Sequence, residues 1–247
     1  MMDRALWITW YDLPEAGRDD YFRWLHETYL PLILKMPGYL WAAHYAQVEK
    51  EQRASSARES GLRRTGDATL PKGSRYILIF GAEDANIFGA ADRAGMHAGL
   101  SDADRRMLAM RQGERVNIMV EAARVAGPAA QDYADGMALA PCIQLGNFNC
   151  AWQDEDDILA WYAKWRMPAM RTLTGCIRTR RLASVAGWAK HGVLYEFPTL
   201  ELRNHYFMGH EDHDPGIKAW SDRMVDKLMH APGSSTLAVR IWPPVKG

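Results

Sequence analysis

The sequence predicts an α+β protein built from two successive βαββαβ units, residues 1–127 and 138–247, whose antiparallel sheets pack face to face. Three observations carry this expectation. The segment WLHETYLPLILKMPG (24–38) recurs as WYAKWRMPAMRTLTG (161–175), with Trp24 on Trp161, Pro31 on Pro168 and Gly38 on Gly175 at one offset of 137. Each copy is preceded by an apolar run of strand length, LWITWYD (6–12) and IQLGNFN (143–149), and followed by another, YLWAAHYA (39–46) and CIRTRRLA (176–183). Further on, RYILIF (75–80) matches GVLYEF (192–197), and VNIMVEA (116–122) and TLAVRIW (236–242) close the two halves.

Each element has a local reason. In the first helix Phe22, Leu25, Tyr29, Leu32 and Met36 recur at three- and four-residue spacing, which puts them on one stripe. Asp19 and Asp20 suit the positive end of its dipole, and Pro37-Gly38 stops it. Pro31 removes an amide hydrogen and strains the turn at the Glu27 carbonyl, at a cost of ~3 kcal/mol in an ordinary helix interior. Its recurrence as Pro168 marks a bend that fits each helix to its sheet. In the next strand, alternation puts Tyr39, Trp41, Ala43 and Tyr45 on one face and His44 on the other. Ser101 and Asp104 resemble a capping box opening a second helix, which Gly113 ends. This order is the ferredoxin-like split βαβ motif, an antiparallel sheet with both helices on one face. The bare, aromatic-rich faces of the two fused sheets then cover each other and leave a pocket between them.

Composition narrows the function. Thirty basic and thirty acidic residues cancel in 247, so no field collects phosphates along a nucleic acid or holds an anionic membrane. No apolar run reaches the ~18–20 residues of a membrane span, and the N-terminus lacks the pattern of a secretory signal. Cys142, Cys150 and Cys176 show no metal-ligand spacing, as expected for reduced thiols in a cytoplasmic protein. Ten Trp, ten Tyr and six Phe are enough to line an interior. Fused halves fit a monomeric pseudo-dimer, or a homodimer of such chains.

A strand, a helix reading H-x-P-L near its end, a Pro-Gly and a second strand form a recognisable series. Here YLPLILKMPGYL (29–40) carries it, and it resembles the EthD-like branch of the dimeric α/β barrel superfamily. Tyr29 stands where that family usually has its histidine, and Arg166 stands there in the second half. The resemblance implies a dimeric-α/β-barrel-like pseudo-dimer with a pocket for small, often aromatic compounds. It covers cofactor-free monooxygenases, isomerases, dehydratases, decarboxylases and heme-binding proteins, so it implies no single reaction.

Candidate chemistry rests on asymmetry between the halves. His26 adjoins Tyr29 on one helical face, either as a hydrogen-bonded core residue or as a general acid/base at the pocket mouth with Tyr29 as partner; its counterpart is Ala163. Trp10, Trp41, Tyr45 and His44 supply aromatic wall or polar positions in the first half. Asn147, Asn149, Arg178 and Arg180 supply amides and guanidiniums in the second, for a ligand carbonyl or phenolate or else for loop backbone and a solvated edge. The segment NHYFMGHEDHDPG (204–216) concentrates His205, His210 and His213 among three acids, Glu211, Asp212 and Asp214, and ends on Pro-Gly; it has no HExxH or facial-triad spacing, and the expectation is an acid/base role for His210 and His213 with no metal. Residues 50–74 form a polar insertion, a lid or a surface loop.

No Gly-rich phosphate cradle, Rossmann fingerprint, CxxCH or GxSxG occurs, which favours side-chain chemistry without a cofactor. The leading expectation is a lyase, dehydratase or isomerase for an aromatic or apolar metabolite. The alternatives are a cofactor-free monooxygenase of phenols and a non-catalytic binder of heme or a hydrophobic metabolite.

Overall fold

The computed structural model of the protein describes residues 3–52, 61–90, 95, 97–133 and 139–245. Its strands are β1 (Ala5–Asp12), β2 (Tyr39–Gln47), β3 (Tyr76–Ala82), β4 (Gln112–Ala126), β5 (Cys142–Asn149), β6 (Arg178–Ala186), β7 (His191–Phe197), the short β8 (Met229–His230) and β9 (Thr236–Trp242). The helices among the described residues are α1 (18–33), α2 (Asn86–Ala90), α3 (Asp102–Leu108), α4 (155–172), α5 (200–207) and α6 (Pro215–Asp226). The capping box at Ser101 and Asp104 is present and opens α3.

All strand pairs between these elements are antiparallel. The first half orders its strands β4-β1-β3-β2 and the second β9-β5-β7-β6; β2 pairs with β9 and β4 with β6, so eight strands close into one barrel. β4 makes closure possible by its length: its 15 residues pair first with β1 and then run on along β6. Closure removes the exposed edges that open sheets must protect.

Alternation along the strands separates two environments. Leu6, Ile8, Trp10, Trp41, Ala43, Tyr45, Ile77, Ile79, Ile143, Leu145 and Leu194 pack inside the barrel. The expected pocket between the sheets is therefore a packed core, because large side chains from both faces interdigitate there. Its charged part neutralises itself. Arg178 donates to both Glu196 oxygens at 2.8 Å, and Arg180 bridges Glu196 (3.2 Å) and Asp3 (2.7 Å). Burial alone would raise the Glu196 carboxyl, but the Arg180 and Arg178 guanidiniums overcompensate and hold it below its ordinary value.

The helices lie on the outer faces, α1 over the first sheet and α4 over the second. Both helices contain a π turn, Leu25–Tyr29 and Tyr162–Arg166, directly before the segment that holds Pro31 or Pro168. The extra residue in each π turn shifts the buried stripe. Tyr21, Leu25, Tyr29, Leu30 and Ile33 face the sheet, whereas Leu32 of the expected stripe is 44% exposed.

One correspondence read from the sequence shifts. Tyr11 faces Tyr76 across the β1–β3 ladder, and Phe148 faces His191 across β5–β7, so Tyr76 corresponds to His191 rather than Val193. A slide of two residues keeps every side chain on its face, which is why apolar patterning could not detect it.

Candidate functional site

The second half holds a cavity of about 190 Å³ between the outer face of its sheet and the helices. A dry cavity of about 150 Å³ already accepts benzene, so this one has room for a small aromatic compound. Phe148 and Tyr195 form its floor, Trp161, Tyr162 and Arg166 of α4 one side, and Phe207, His210 and Glu211 another. Leu62, His230 and Ser235 also line it.

Side-chain volume explains why the opening is in this half. Thr9, Leu78 and Trp7 on the first sheet correspond by ladder position to Gly146, Val193 and Gln144 on the second. Tyr21 of α1 corresponds in sequence to Ile158. In the first half Tyr11, Tyr21, Tyr29, Trp7 and Phe80 fill the equivalent layer.

Arg166 is the organising charge. It is the last residue of the π turn, in which the Met167 amide donates to the Tyr162 carbonyl five residues back, and this register turns it toward the sheet. Its Nε donates to Tyr195 Oη at 2.7 Å and its Nη1 to Glu211 Oε1. The guanidinium carbon lies 5.2–5.4 Å from the ring centroids of Trp161, Tyr195 and Phe207. Nη2 makes no hydrogen bond among the described residues. A planar cation held this rigidly, with one edge uncommitted, suits a phenolate or carboxylate oxygen.

Two histidines stand with it. His210 Nδ1 lies 2.6 Å from the Phe207 carbonyl, which makes Nδ1 the donor and leaves Nε2 as acceptor, 3.4 Å from Arg166 Nη1. Burial, and then the Arg166 charge, pull this imidazole down to about 3. His230 Nδ1 is 3.1 Å from Ser234 Oγ, while its Nε2 is buried with no hydrogen-bond partner among the described residues. Burial, with help from Arg64, lowers it to about 4. Both rings are neutral near pH 7 and each carries proton-accepting capacity in an apolar wall. Tyr162 beside them is pushed well above the ordinary phenol value by burial.

Of the residues singled out from the sequence, Arg166 and His210 line this cavity. His213 is exposed in the turn that follows His210. Trp10, Trp41 and Tyr45 lie inside the barrel, where Trp41 Nε1 donates to Asp3 (3.2 Å) and Tyr45 Oη to the Ala140 carbonyl (2.7 Å). Arg178 and Arg180 belong to the internal ion network. Asn147 is fully buried, and neither its Oδ1 nor its Nδ2 has a hydrogen-bond partner among the described residues. Asn149 fixes loop backbone, donating to Trp188 O (3.0 Å) and accepting from Lys190 N (2.6 Å).

His26, His44 and Tyr29 gather under α1. His26 Nε2 lies 2.8 Å from His44 Nδ1, and His44 Nε2 2.7 Å from Tyr11 Oη; the expected Tyr29 partner instead meets His97 at 3.0 Å. Burial brings His26 to about 4 and, with the His26 and Arg111 charges, His44 well below the ordinary histidine value. Tyr29 is pushed up to about 12 by burial.

His230 and Glu211 were not singled out as functional by sequence reasoning. Glu211 falls within the histidine-rich segment, but His230 is a lone histidine before a Pro-Gly, and no local spacing marks it. Of the insertion 50–74, residues 53–60 lie outside the described part. Leu62 reaches the cavity, and residues 63–65 run beside β8, with His230 N donating to Arg63 O at 2.8 Å. Among the described residues no helix is long and apolar enough to cross a membrane.

No protein-family model and no curated protein sequence matches the chain. Solved structures share its fold along nearly its whole length. A candidate monooxygenase from Lactobacillus acidophilus NCFM is 13% identical, with 96% of this chain and 94% of that one covered and a TM-score of 0.52. A candidate monooxygenase from Fusobacterium nucleatum is 6% identical, with coverage of 97% and 93% and a TM-score of 0.58. An anthrone oxidase-like protein is 10% identical, with coverage of 98% and 92% and a TM-score of 0.60. At these identities the likeness is one of fold alone.

Proposed function

We propose that this chain is an internally duplicated dimeric α/β barrel of the EthD-like kind, working in the cytoplasm as a cofactor-independent enzyme on a small aromatic compound. Its site is the aromatic cavity of the second half. The carrying observation is the buried, partnerless Nε2 of His230 in the wall of an aromatic cavity that also holds a fixed Arg166.

His230 takes a proton from a phenolic or enolisable substrate, and the oxyanion that forms is met by Arg166 Nη2. Glu211 and Tyr195 hold the guanidinium in place, and His210 accepts from its Nη1. The apolar walls exclude water, so the charge pair formed on proton transfer is stabilised by fixed groups rather than solvent. Returning the proton to another carbon gives isomerisation, and expelling a leaving group gives elimination.

A second reading follows from the same anion. Two of the solved structures described above carry monooxygenase names and one is called anthrone oxidase-like. Dioxygen adding to a hydrogen-bearing carbon of the anion gives a peroxide that takes back the proton held by His230; the hydroperoxide then loses water, with the hydrogen of that carbon and cleavage of the O–O bond, to leave a carbonyl group, so dioxygen is the oxidant and the ring carbon is oxidised.

A panel of phenols and enolisable aryl ketones, assayed with and without dioxygen, separates the readings. Turnover of at least one panel member is expected, with kcat lower by about 10²–10⁴ in His230→Gln and KM nearly unchanged. Failure of every panel member to bind the wild-type cavity overturns the proposal.

A further inference from the structure

On the other side of Phe148 from Tyr195, three separate elements bring a thiol, a carboxylate and an imidazole together. Cys150 directly follows β5, Glu155 opens α4 and His191 opens β7. Cys150 Sγ lies 3.8 Å from His191 Nε2, and His191 Nε2 lies 3.7 Å from Glu155 Oε1. One ligand atom from each of the three falls within 4.8 Å of the others. Zinc bonds of ~2.3 Å to sulfur and ~2.0–2.2 Å to nitrogen or oxygen give tetrahedral edges of roughly 3.3–3.7 Å. Little movement would close this triangle on an ion.

We propose that Cys150, Glu155 and His191 bind a single borderline-soft divalent metal ion of the zinc class, with water in the fourth position. A mixed S, N, O donor set disfavours calcium and magnesium, which take oxygen ligands. The backbone already fixes the donors: His191 pairs with Phe148 in the β5–β7 ladder, and its ring stacks on Phe148 at 5.7 Å. The first half cannot build the site, because Leu13, Arg18 and Tyr76 occupy the corresponding positions.

Lys190 is the competing cation at this site. Its ammonium sits on both Glu155 oxygens at 2.5 and 2.6 Å, so a cation already occupies part of the place. Its side chain is 59% exposed and can swing into water. On binding, the metal takes the Sγ lone pair, the thiol proton leaves to solvent, and Lys190 gives up Glu155.

The test uses the full chain stripped of metal and titrated with Co²⁺, which reports its ligands in its spectrum whether or not any activity is known. One equivalent is expected, with a thiolate-to-cobalt charge-transfer band in the near ultraviolet and the visible bands of a four-coordinate ion. Cys150→Ser should abolish the charge-transfer band. Glu155→Gln should weaken Co²⁺ binding by at least about tenfold, since even outer-shell changes cost 10–100-fold. Lys190→Ala should tighten it by removing the competing ammonium. Absence of the band in the wild type, or its survival in Cys150→Ser, overturns the proposal. If Cys150→Ser does not fold, unchanged affinity in both Glu155→Gln and Lys190→Ala overturns it equally.

Discussion

Arg166 and Glu211 form an ion pair in the cavity wall with side chains only 11% and 3% exposed. A buried pair of this kind costs more in desolvation than an exposed one and adds little net stability, so its place beside three aromatic rings points to a positioning task. Arg166→Lys keeps the charge but loses the fork that spans Tyr195 and Glu211. It should reduce kcat by about 10²–10³, the usual loss when an oxyanion donor is removed. Steady-state kinetics on an active panel compound checks this.

Filling the cavity should separate binding from folding. Val193 lies in its floor beside Gly146, and Val193→Phe puts a ring into open space. Binding of aromatic compounds should vanish, while the melting temperature stays within a few degrees of wild type or rises, because the new ring meets apolar walls. Calorimetric titration with a phenol, paired with thermal denaturation, reads both outcomes.

The barrel interior should respond in the opposite way. Glu196→Gln removes the carboxylate that the buried Arg178 and Arg180 share. A loss of about 3–5 kcal/mol is expected from breaking such a pair. Ligand affinity measured in the surviving folded fraction should be unchanged, since neither arginine reaches the cavity. Urea denaturation gives the first quantity and fluorescence titration the second.

Histidine burial sets a pH limit on stability. His26, His210 and His230 titrate at about 4, 3 and 4 when folded, against 6.5 when exposed. Below pH 6.5 the unfolded chain binds these protons and the folded chain does not, so the stabilisation present above 6.5 falls as pH drops toward 4. Each histidine contributes a slope of about 1.4 kcal/mol per pH unit within that window. Urea midpoints at pH 7, 6, 5 and 4 should decline steadily. A flat profile down to pH 5 would contradict the burial of these rings.

Much of the architecture was legible because it depends on local order. Trp24, Pro31 and Gly38 recurring as Trp161, Pro168 and Gly175 set the two halves, and the strand runs that flank them match β1, β2, β5 and β6 to within three residues. The candidate site was legible only in part. Arg166 could be found because it stands at a motif position, and His210 because it lies in a dense cluster. His230 became visible only when β8 paired with the end of β5.

The sequence by itself determined the strand and helix order and the presence of enough aromatic surface to line an enclosed space, because periodicity and chain punctuation are properties of neighbouring residues. Tertiary structure alone decided which space stays open. Inside the barrel, Trp10, Trp41 and the Arg178–Glu196 network meet from both sheets and fill the centre. Under α4, Gly146, Val193 and Ile158 leave volume that Thr9, Leu78 and Tyr21 occupy in the other half. A cavity is a sum of volumes contributed by residues far apart in the chain, so no single stretch of sequence carries it.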